Sequence, residues 1–236
     1  GADGDHAAGR DLQRAERRVA VPHALGEVVA PPLLELLRVE EDRQPAISVL
    51  RRGGDAAAVA EGMTPEVAVL DAHARILEHH PSALLVLVPR HPERFPQVAA
   101  LLDSRGIPYV SRSSLAVATP ATRVLLGDTM GELTTFYAAA DVAFVGGSLV
   151  RIGGHNLLEP TALAVPVVTG PHNENAADIA ELLVDCGAAL VVPDWAGLAA
   201  EVSWLLGDEA ERRKRGEAGR QAILANRGAL DRLLAL

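Results

Sequence analysis

Several features that would point to common protein classes are scarce in this sequence. A single cysteine, Cys186, excludes an internal disulfide and a zinc site built from cysteines. A single lysine, Lys214, and a net charge of −9 argue against a general nucleic-acid binder, which needs a basic surface stripe. No run of residues is long and apolar enough to span a bilayer as a helix.

What the sequence does contain is enough apolar material for a folded core. The 236 residues are 49% hydrophobic, which is too apolar for a disordered chain. The chain begins with Gly1 and its first methionine is Met63, so we expect it to be part of a longer protein. We predict an irregular or divergent segment over residues 1–62, with a candidate strand at 45–50, and one folded domain over residues 63–236.

From residue 64 onward, short apolar runs alternate with stretches of helical periodicity. The runs at 83–88, 123–126, 142–145, 165–169 and 188–192 predict strands. Helices are predicted from Pro65, after a Thr64 N-cap, and over 93–104, 131–140, 156–163, 175–185, 198–206 and 209–226. This alternation indicates an α/β fold, a Rossmann-like parallel sheet with helices on both faces. Ligands of such sheets bind where the strands end, so the loops after residues 88, 126, 145 and 169 are the candidate sites.

The loop after residue 145 carries the strongest signal. Two Gly-Gly pairs, at 146–147 and 153–154, bracket a short excursion that leads into a predicted helix. Backbone N–H groups in such a loop can surround a phosphate, although neither a P-loop nor a GxGxxG fingerprint is present. Glu159 lies about one turn into the helix, where a carboxylate can accept two ribose hydroxyls. The alternative for Glu159 is simple charge complementarity with the helix N-terminus.

Two other loops are weaker candidates. Arg90 follows the strand at 83–88 and precedes a helix, which favours either an anion site or a solvated arginine beside a turn. In the loop at 127–133, Thr129 is a candidate helix cap, and Gly131 allows close approach to the backbone. An ordinary strand-to-helix turn is the alternative there.

Other chemistries find little support in the sequence. His91, His155 and His172 lie in loops, but no HExxH or paired histidine–carboxylate spacing accompanies them, so no metal site is predicted. No GxSxG nucleophile elbow is present.

The segments 87–95, 127–133 and 146–160 occur in an order that resembles the C-terminal domain of 3-deoxy-D-manno-octulosonic acid (Kdo) transferases. These are glycosyltransferases of the GT-B fold, which build the inner core of lipopolysaccharide on lipid A. The segments 170–172 and 225–230 are also similar, and the resemblance extends from about residue 70 to residue 236. It implies that this domain is the C-terminal half of a GT-B enzyme and binds the donor CMP-Kdo without an additional cofactor or metal.

The resemblance also implies which residues contact the donor nucleotide. The nucleotide-binding set that it predicts is Pro89, Arg90, Met130, Gly131, Glu132, Asn156, Leu157, Leu158 and Glu159. Residues predicted to support this set are Gly147, Ser148, Gly153, Gly154 and His155.

In such an enzyme, the acceptor site and the general base are expected outside this domain. Family members carry the acceptor site for a lipid A precursor, and the carboxylate that acts as general base, on an N-terminal domain. We therefore predict no catalytic residue in this chain and little or no sugar transfer by it alone. Family membership implies peripheral association with the cytoplasmic face of the inner membrane. The first 60 residues show no resemblance, and residues 48–55 lack the Ser/Thr-His-Gly-Glu-like turn expected after the first strand.

Two other functions remain open on the sequence. One is a non-catalytic nucleotide-binding fragment derived from such a transferase, and the other is a different GT-B glycosyltransferase that uses a UDP-sugar. No partnership with nucleic acid is expected.

Overall fold

A seven-stranded parallel sheet organises the part of the chain that the computed structural model describes, which comprises residues 46–51, 65–151 and 153–226. The order across the sheet is β3-β4-β2-β1-β5-β6-β7. The strands are Ala46–Arg51 (β1), Leu84–Pro89 (β2), Tyr109–Ser111 (β3), Val124–Leu126 (β4), Val142–Val145 (β5), Val167–Thr169 (β6) and Ala189–Val191 (β7).

An α-helix follows every strand except β3, and the helices cover the sheet. They are Pro65–His79 (α1), Phe95–Ser104 (α2), Leu133–Ala139 (α3), Leu158–Ala162 (α4), Ala177–Asp185 (α5), Trp195–Gly207 (α6) and Glu209–Ala225 (α7). Single turns of 3-10 helix occur at Pro92–Arg94, Arg112–Ser114 and Glu174–Ala176. The five strands predicted between residues 83 and 192 are all present, with ends that differ by at most two residues. The short strand β3 has no counterpart in the sequence prediction.

The strand β1 lies in the middle of the sheet, although it precedes residue 63, the predicted start of the domain. Ala46 pairs with Leu84 of β2, and Ile47 pairs with both Leu85 of β2 and Val142 of β5. The sheet therefore includes six residues of the segment that we had set apart as irregular or divergent. The remainder of that segment, residues 1–45 and 52–62, lies outside the described residues.

The strands β2, β4, β5 and β6 are buried on both faces, as their apolar sequences predict. All six residues of β2 are buried, and they point alternately to opposite faces. Leu85 and Leu87 pack in a cluster with α1, α2 and α6, whereas Leu84 and Val86 pack against α3. The prediction of a Rossmann-like parallel sheet with helices on both faces is confirmed.

The C-terminal helix α7 approaches α4 and the turn that follows it very closely. A Cβ added at Gly216 would lie 1.9 Å from the carbonyl oxygen of Ala164, and one added at Gly219 would lie 2.5 Å from Cγ2 of Thr161. Two glycines three residues apart thus give α7 a smooth face on which α4 rests. Because α4 has only five residues, this packing holds it in place far more than its own hydrogen bonds do.

The buried face of α1 contains a histidine. His73 is 3% exposed, and its Nε2 lies 3.2 Å from the carbonyl oxygen of Ala83, to which it donates. Burial lowers the pKa of His73 to about 4, and the positive charge of Arg123 adds to the effect. The helical spacing of Val67, Leu70, Ala74 and Leu77 in the sequence predicts that these residues form the apolar face of α1. In the structure Leu70 is buried as predicted, but Ala74 is exposed and the buried face also includes Ile76.

We expect Gly216→Ala to destabilise the chain by about 1–3 kcal/mol, because the new methyl group must displace the backbone of Ala164. The better helix propensity of alanine offsets about 1 kcal/mol at most. Urea unfolding followed by circular dichroism measures the change. Gly207→Ala is the control, since a Cβ there meets only the edge of His80 at 3.8 Å. Equal stability of the two variants would contradict the close packing of α7.

We expect His73 to make the folded chain less stable as the pH falls from 6.5 to about 4. In this window the unfolded chain binds a proton at His73 that the folded chain does not. Stability is therefore lost with decreasing pH, by up to about 1.4 kcal/mol per pH unit. The measurement is urea unfolding at several pH values for the wild type and for His73→Gln, which keeps a donor but does not titrate. Parallel pH profiles for the two proteins would show that His73 is not the cause.

Candidate functional site

The candidate site loops lie at one edge of the sheet, because every described strand pair is parallel and the strands all end on the same side. Chain order reverses around β1, which has β2 on one side and β5 on the other. A crevice opens at such a reversal, outside the strand ends. The loops after β2 and β5 flank it, at strands about 10 Å apart across β1, and the loop after β4 lies one strand further out.

The glycine-rich loop after β5 folds back on itself. The N–H of Gly154 donates to the carbonyl oxygen of Gly147 at 3.1 Å and closes the excursion. Gly147, Gly153 and Gly154 all have positive φ, at 80°, 92° and 71°. A Cβ added at Gly154 would also lie only 2.7 Å from Oδ1 of Asn173. Both the backbone conformation and the lack of space therefore require glycine at this position.

Ser148 joins the loops after β5 and β6. Its buried hydroxyl donates to the carbonyl oxygen of Val145 at 2.9 Å and accepts from the N–H of Gly170 at 2.7 Å. Its own carbonyl oxygen accepts from the N–H of His172. A Cβ at Gly170 would lie 2.3 Å from that oxygen, so the two backbones touch. Ser148 therefore holds the two loops together and has no free hydroxyl for a ligand.

Asn156 and Glu159 form a linked pair at the start of α4. Oδ1 of Asn156 accepts from the N–H of Leu158, and its Nδ2 donates to Oε1 of Glu159, both at 3.0 Å. The carboxylate is half-buried, and the amide is exposed. The side chain of Leu157 is fully buried in the core, so this residue offers a ligand only its backbone.

The helix that follows is shorter than its predicted span. It begins at Leu158 rather than at residue 156 and has only five residues, which end at Ala162. Glu159 is consequently its second residue, not one turn inside it. Because so few peptide dipoles are aligned, the helix contributes less positive potential than the sequence prediction assumed. Individual N–H groups and side chains therefore matter more at this site than the helix dipole.

Arg90 stands at the end of β2 with its side chain in solvent. Pro89, the last residue of the strand, is buried and pairs with Arg51 of β1. In the described part of the chain Arg90 shows no hydrogen bond or ion pair. By contrast, Nη2 of Arg94 donates to Oε1 of the buried Glu66 at 2.8 Å and thereby anchors the loop to α1. The structure thus leaves Arg90 available for an anion.

Glu132 is already engaged inside the protein. Its Oε1 accepts from Nη2 of Arg112 at 2.7 Å, and its Oε2 accepts from the hydroxyl of Thr129. Thr129 therefore does not cap α3, contrary to the sequence prediction, and the N-cap of that helix is Glu132. Met130 and Gly131 lie between these anchors and are exposed. The loop is fixed at its two sides and open at its tip.

Arg112 is a residue that the sequence analysis missed. It follows the unpredicted edge strand β3, and it is separated from Glu132 by 20 residues, so no local pattern connects the two. The neighbouring Ser113 donates from its backbone N–H to Asp128 at 2.8 Å. These bonds attach the loop after β4 to the turn after β3.

No cluster of three or more metal-ligating side chains is found in the described ranges. Nor does any helix in the described residues have the length and apolar character to cross a membrane.

Comparison with known proteins gives the family of the chain. Residues 67–222 match the family Glycosyl transferases group 1. The chain belongs to this family. A 3-deoxy-D-manno-octulosonic acid transferase of Haemophilus influenzae is 46% identical to it over 169 residues, which are 71% of this chain and 40% of that protein. The corresponding transferase of Bordetella pertussis is 37% identical over 225 residues, 95% of this chain and 48% of that protein.

A solved structure is also similar to this chain. The C-terminal CMP-Kdo binding domain of WaaA from Acinetobacter baumannii matches with a TM-score of 0.70 and 26% identity, over 90% of this chain and 98% of that one. These matches confirm the resemblance to Kdo transferases and the GT-B fold. The chain spans less than half the length of the two curated relatives. The 225-residue match also reaches into the first 60 residues, where we had found no resemblance.

We expect Arg112→Met to destabilise the chain by about 1–2 kcal/mol, because it leaves the half-buried carboxylate of Glu132 without its charged partner. Adding Glu132→Gln should recover part of the loss. Urea unfolding of the two single variants and the double variant measures the coupling. Arg105→Met is the control, since its ion pair with Asp71 is solvent-exposed and contributes at most about 1 kcal/mol. Additive effects of Arg112→Met and Glu132→Gln would contradict the coupling.

Proposed function

We propose that this chain is the donor-binding domain of a Kdo transferase and binds CMP-Kdo. In the complete enzyme, Kdo would be transferred to a lipid A precursor during synthesis of the lipopolysaccharide core. Two curated relatives are named Kdo transferases, and the similar WaaA domain is described as binding CMP-Kdo. The observation that carries the proposal is the position of the loops: those that resemble the family lie together at the strand ends around β1.

In this proposal Arg90 provides the positive charge for the phosphate of the donor nucleotide. Its guanidinium is exposed at the crevice, and an arginine can hold two phosphate oxygens at once. Pro89 shapes the end of the strand beneath it. The backbone of Met130 and Gly131, at the exposed tip of their loop, lines the same nucleotide.

Glu159 and Asn156 are proposed to hold the ribose. The carboxylate of Glu159 has acceptor capacity beyond the one hydrogen bond from Asn156, so it can take two ribose hydroxyls. Leu157 contributes its backbone N–H group, whereas the N–H of Leu158 is bonded to Oδ1 of Asn156, so Leu158 acts indirectly. Glu132 and Ser148 act indirectly, since both are committed to bonds within the protein. Gly147, Gly153, Gly154 and His155 shape the loop that supports them.

In the proposed reaction, this domain stabilises the CMP that leaves. Hydrogen bonds and positive charge aimed at its phosphate serve that purpose, and the proposal includes no metal ion or other cofactor. The general base and the acceptor site belong to the N-terminal domain of such an enzyme. Peripheral association with the cytoplasmic face of the inner membrane is part of the same proposal.

Binding of CMP by this chain is the first expected result. We expect calorimetry to show binding of CMP that is tighter than binding of UDP, and little or no sugar transfer by the chain alone. Absence of CMP binding at millimolar concentration would contradict the proposal. Tighter binding of UDP would instead support a transferase that uses a UDP-sugar.

Glu159→Ala should weaken CMP binding by about 1–3 kcal/mol, because the ribose hydroxyls then lose their acceptor. Glu217→Ala removes the same charge from the exposed face of α7 and should leave the affinity unchanged. If Glu159→Ala binds CMP as the wild type does, Glu159 serves only to complement the start of α4.

A further inference from the structure

A buried tyrosine in α3, the helix that packs against α4, has no assigned role. Tyr137 is in α3 and is fully buried, among apolar residues that include Phe136, Leu163 and Val165. Its hydroxyl oxygen is shielded from solvent, and no hydrogen-bond partner lies within reach of it in the described residues.

This hydroxyl is a cost to the free protein. An unsatisfied polar group in the core loses its hydrogen bonds to water and receives nothing in return. Phe136, the next residue, is equally buried and fills its part of the core without a hydroxyl. Packing alone would therefore favour phenylalanine at position 137 as well. An unpartnered buried hydroxyl needs an explanation, and one is a second state of the protein in which the hydroxyl has a hydrogen-bond partner.

Glu159 is the charged group whose field acts on the Tyr137 hydroxyl. Helix α3 packs directly against α4, whose second residue is Glu159. Burial raises the pKa of Tyr137 well above its usual value, and the nearby negative charge of Glu159 raises it further. The hydroxyl consequently keeps its proton at physiological pH and is a donor. The carboxylate, half-buried and bonded to the exposed amide of Asn156, is an acceptor that can turn about its own side-chain bonds.

We propose that Tyr137 is a positioning residue for the donor nucleotide: when the ribose binds, the Tyr137 hydroxyl donates to the carboxylate of Glu159 and holds it for the ribose hydroxyls. This rests on the proposed function, because it assumes that Glu159 binds ribose. Asn156 then holds the carboxylate from the solvent side and Tyr137 holds it from the core side. A hydrogen bond to a charged acceptor is short and strong, which offsets the cost borne by the free protein.

The test compares Tyr137→Phe with the wild type in two measurements. Without nucleotide, the variant should melt about 2–4 °C higher, because an unsatisfied buried hydroxyl is removed. With nucleotide, it should bind CMP about three- to tenfold more weakly, because the carboxylate is no longer held. Its affinity for 2′,3′-dideoxycytidine monophosphate, which lacks both ribose hydroxyls, should be unchanged. Stability and CMP affinity therefore move in opposite directions.

Two further variants complete the design. Tyr109→Phe changes the only other tyrosine, which lies on the edge strand β3, and should affect neither CMP binding nor the preference for CMP over the dideoxy compound. In a Glu159→Ala background, Tyr137→Phe should have no further effect on CMP binding, because its acceptor is gone.

Several outcomes would overturn the inference. One is a Tyr137→Phe variant that binds CMP as tightly as the wild type, and another is an equal loss of affinity for the dideoxy compound. A lower melting temperature would also overturn it, since the hydroxyl would then have a partner in the free protein. If the wild type itself does not bind CMP, the proposed function fails first, and the two failures are thus distinguishable.

Discussion

The pairing of β1 with β2 on one side and β5 on the other is the interaction on which the rest of this structure depends. Because β1 separates the two halves of the sheet, the direction of strand order reverses there and leaves a crevice at the strand ends. Arg90 reaches that edge from β2, and the glycine-rich loop reaches it from β5. Without β1, the two would belong to separate sheets with no common site.

A second constraint is how closely backbones approach around the site. Gly170 lies against the carbonyl of Ser148, and Gly216 lies against that of Ala164. The first contact fixes the loop after β5 to the loop after β6, and the second seats the five-residue helix α4 on α7. Short elements with few hydrogen bonds of their own are thus held by their neighbours. A carboxylate such as Glu159 can then be placed accurately on a helix that would not form alone.

Whether a strand or helix can be predicted depends on whether its burial leaves a pattern in the local sequence. Strands such as β2 and β5 are buried on both faces, so their apolar runs are visible in the sequence and their bounds were nearly correct. The edge strand β3 is only half-buried and has no such run. The predicted buried face of α1 was partly wrong. The helix is covered by the sheet and by α6 together, and this widens its buried stripe beyond a simple repeat. Early termination of α4 depends on tertiary packing that no local pattern records.

The same division applies to the site. Local sequence determined which loops carry glycine, arginine and carboxylate after which strands, because turn geometry and strand burial impose those residue types locally. It also carried the family resemblance. Only the tertiary structure decided which of these side chains are available. It joined Glu132 to Arg112, gave the hydroxyl of Ser148 two hydrogen bonds and left Arg90 in solvent. It also buried the hydroxyl of Tyr137 with no partner among the described residues. Those outcomes depend on contacts between residues far apart in the chain, and the distances that decide them arise only when the sheet and its helices pack.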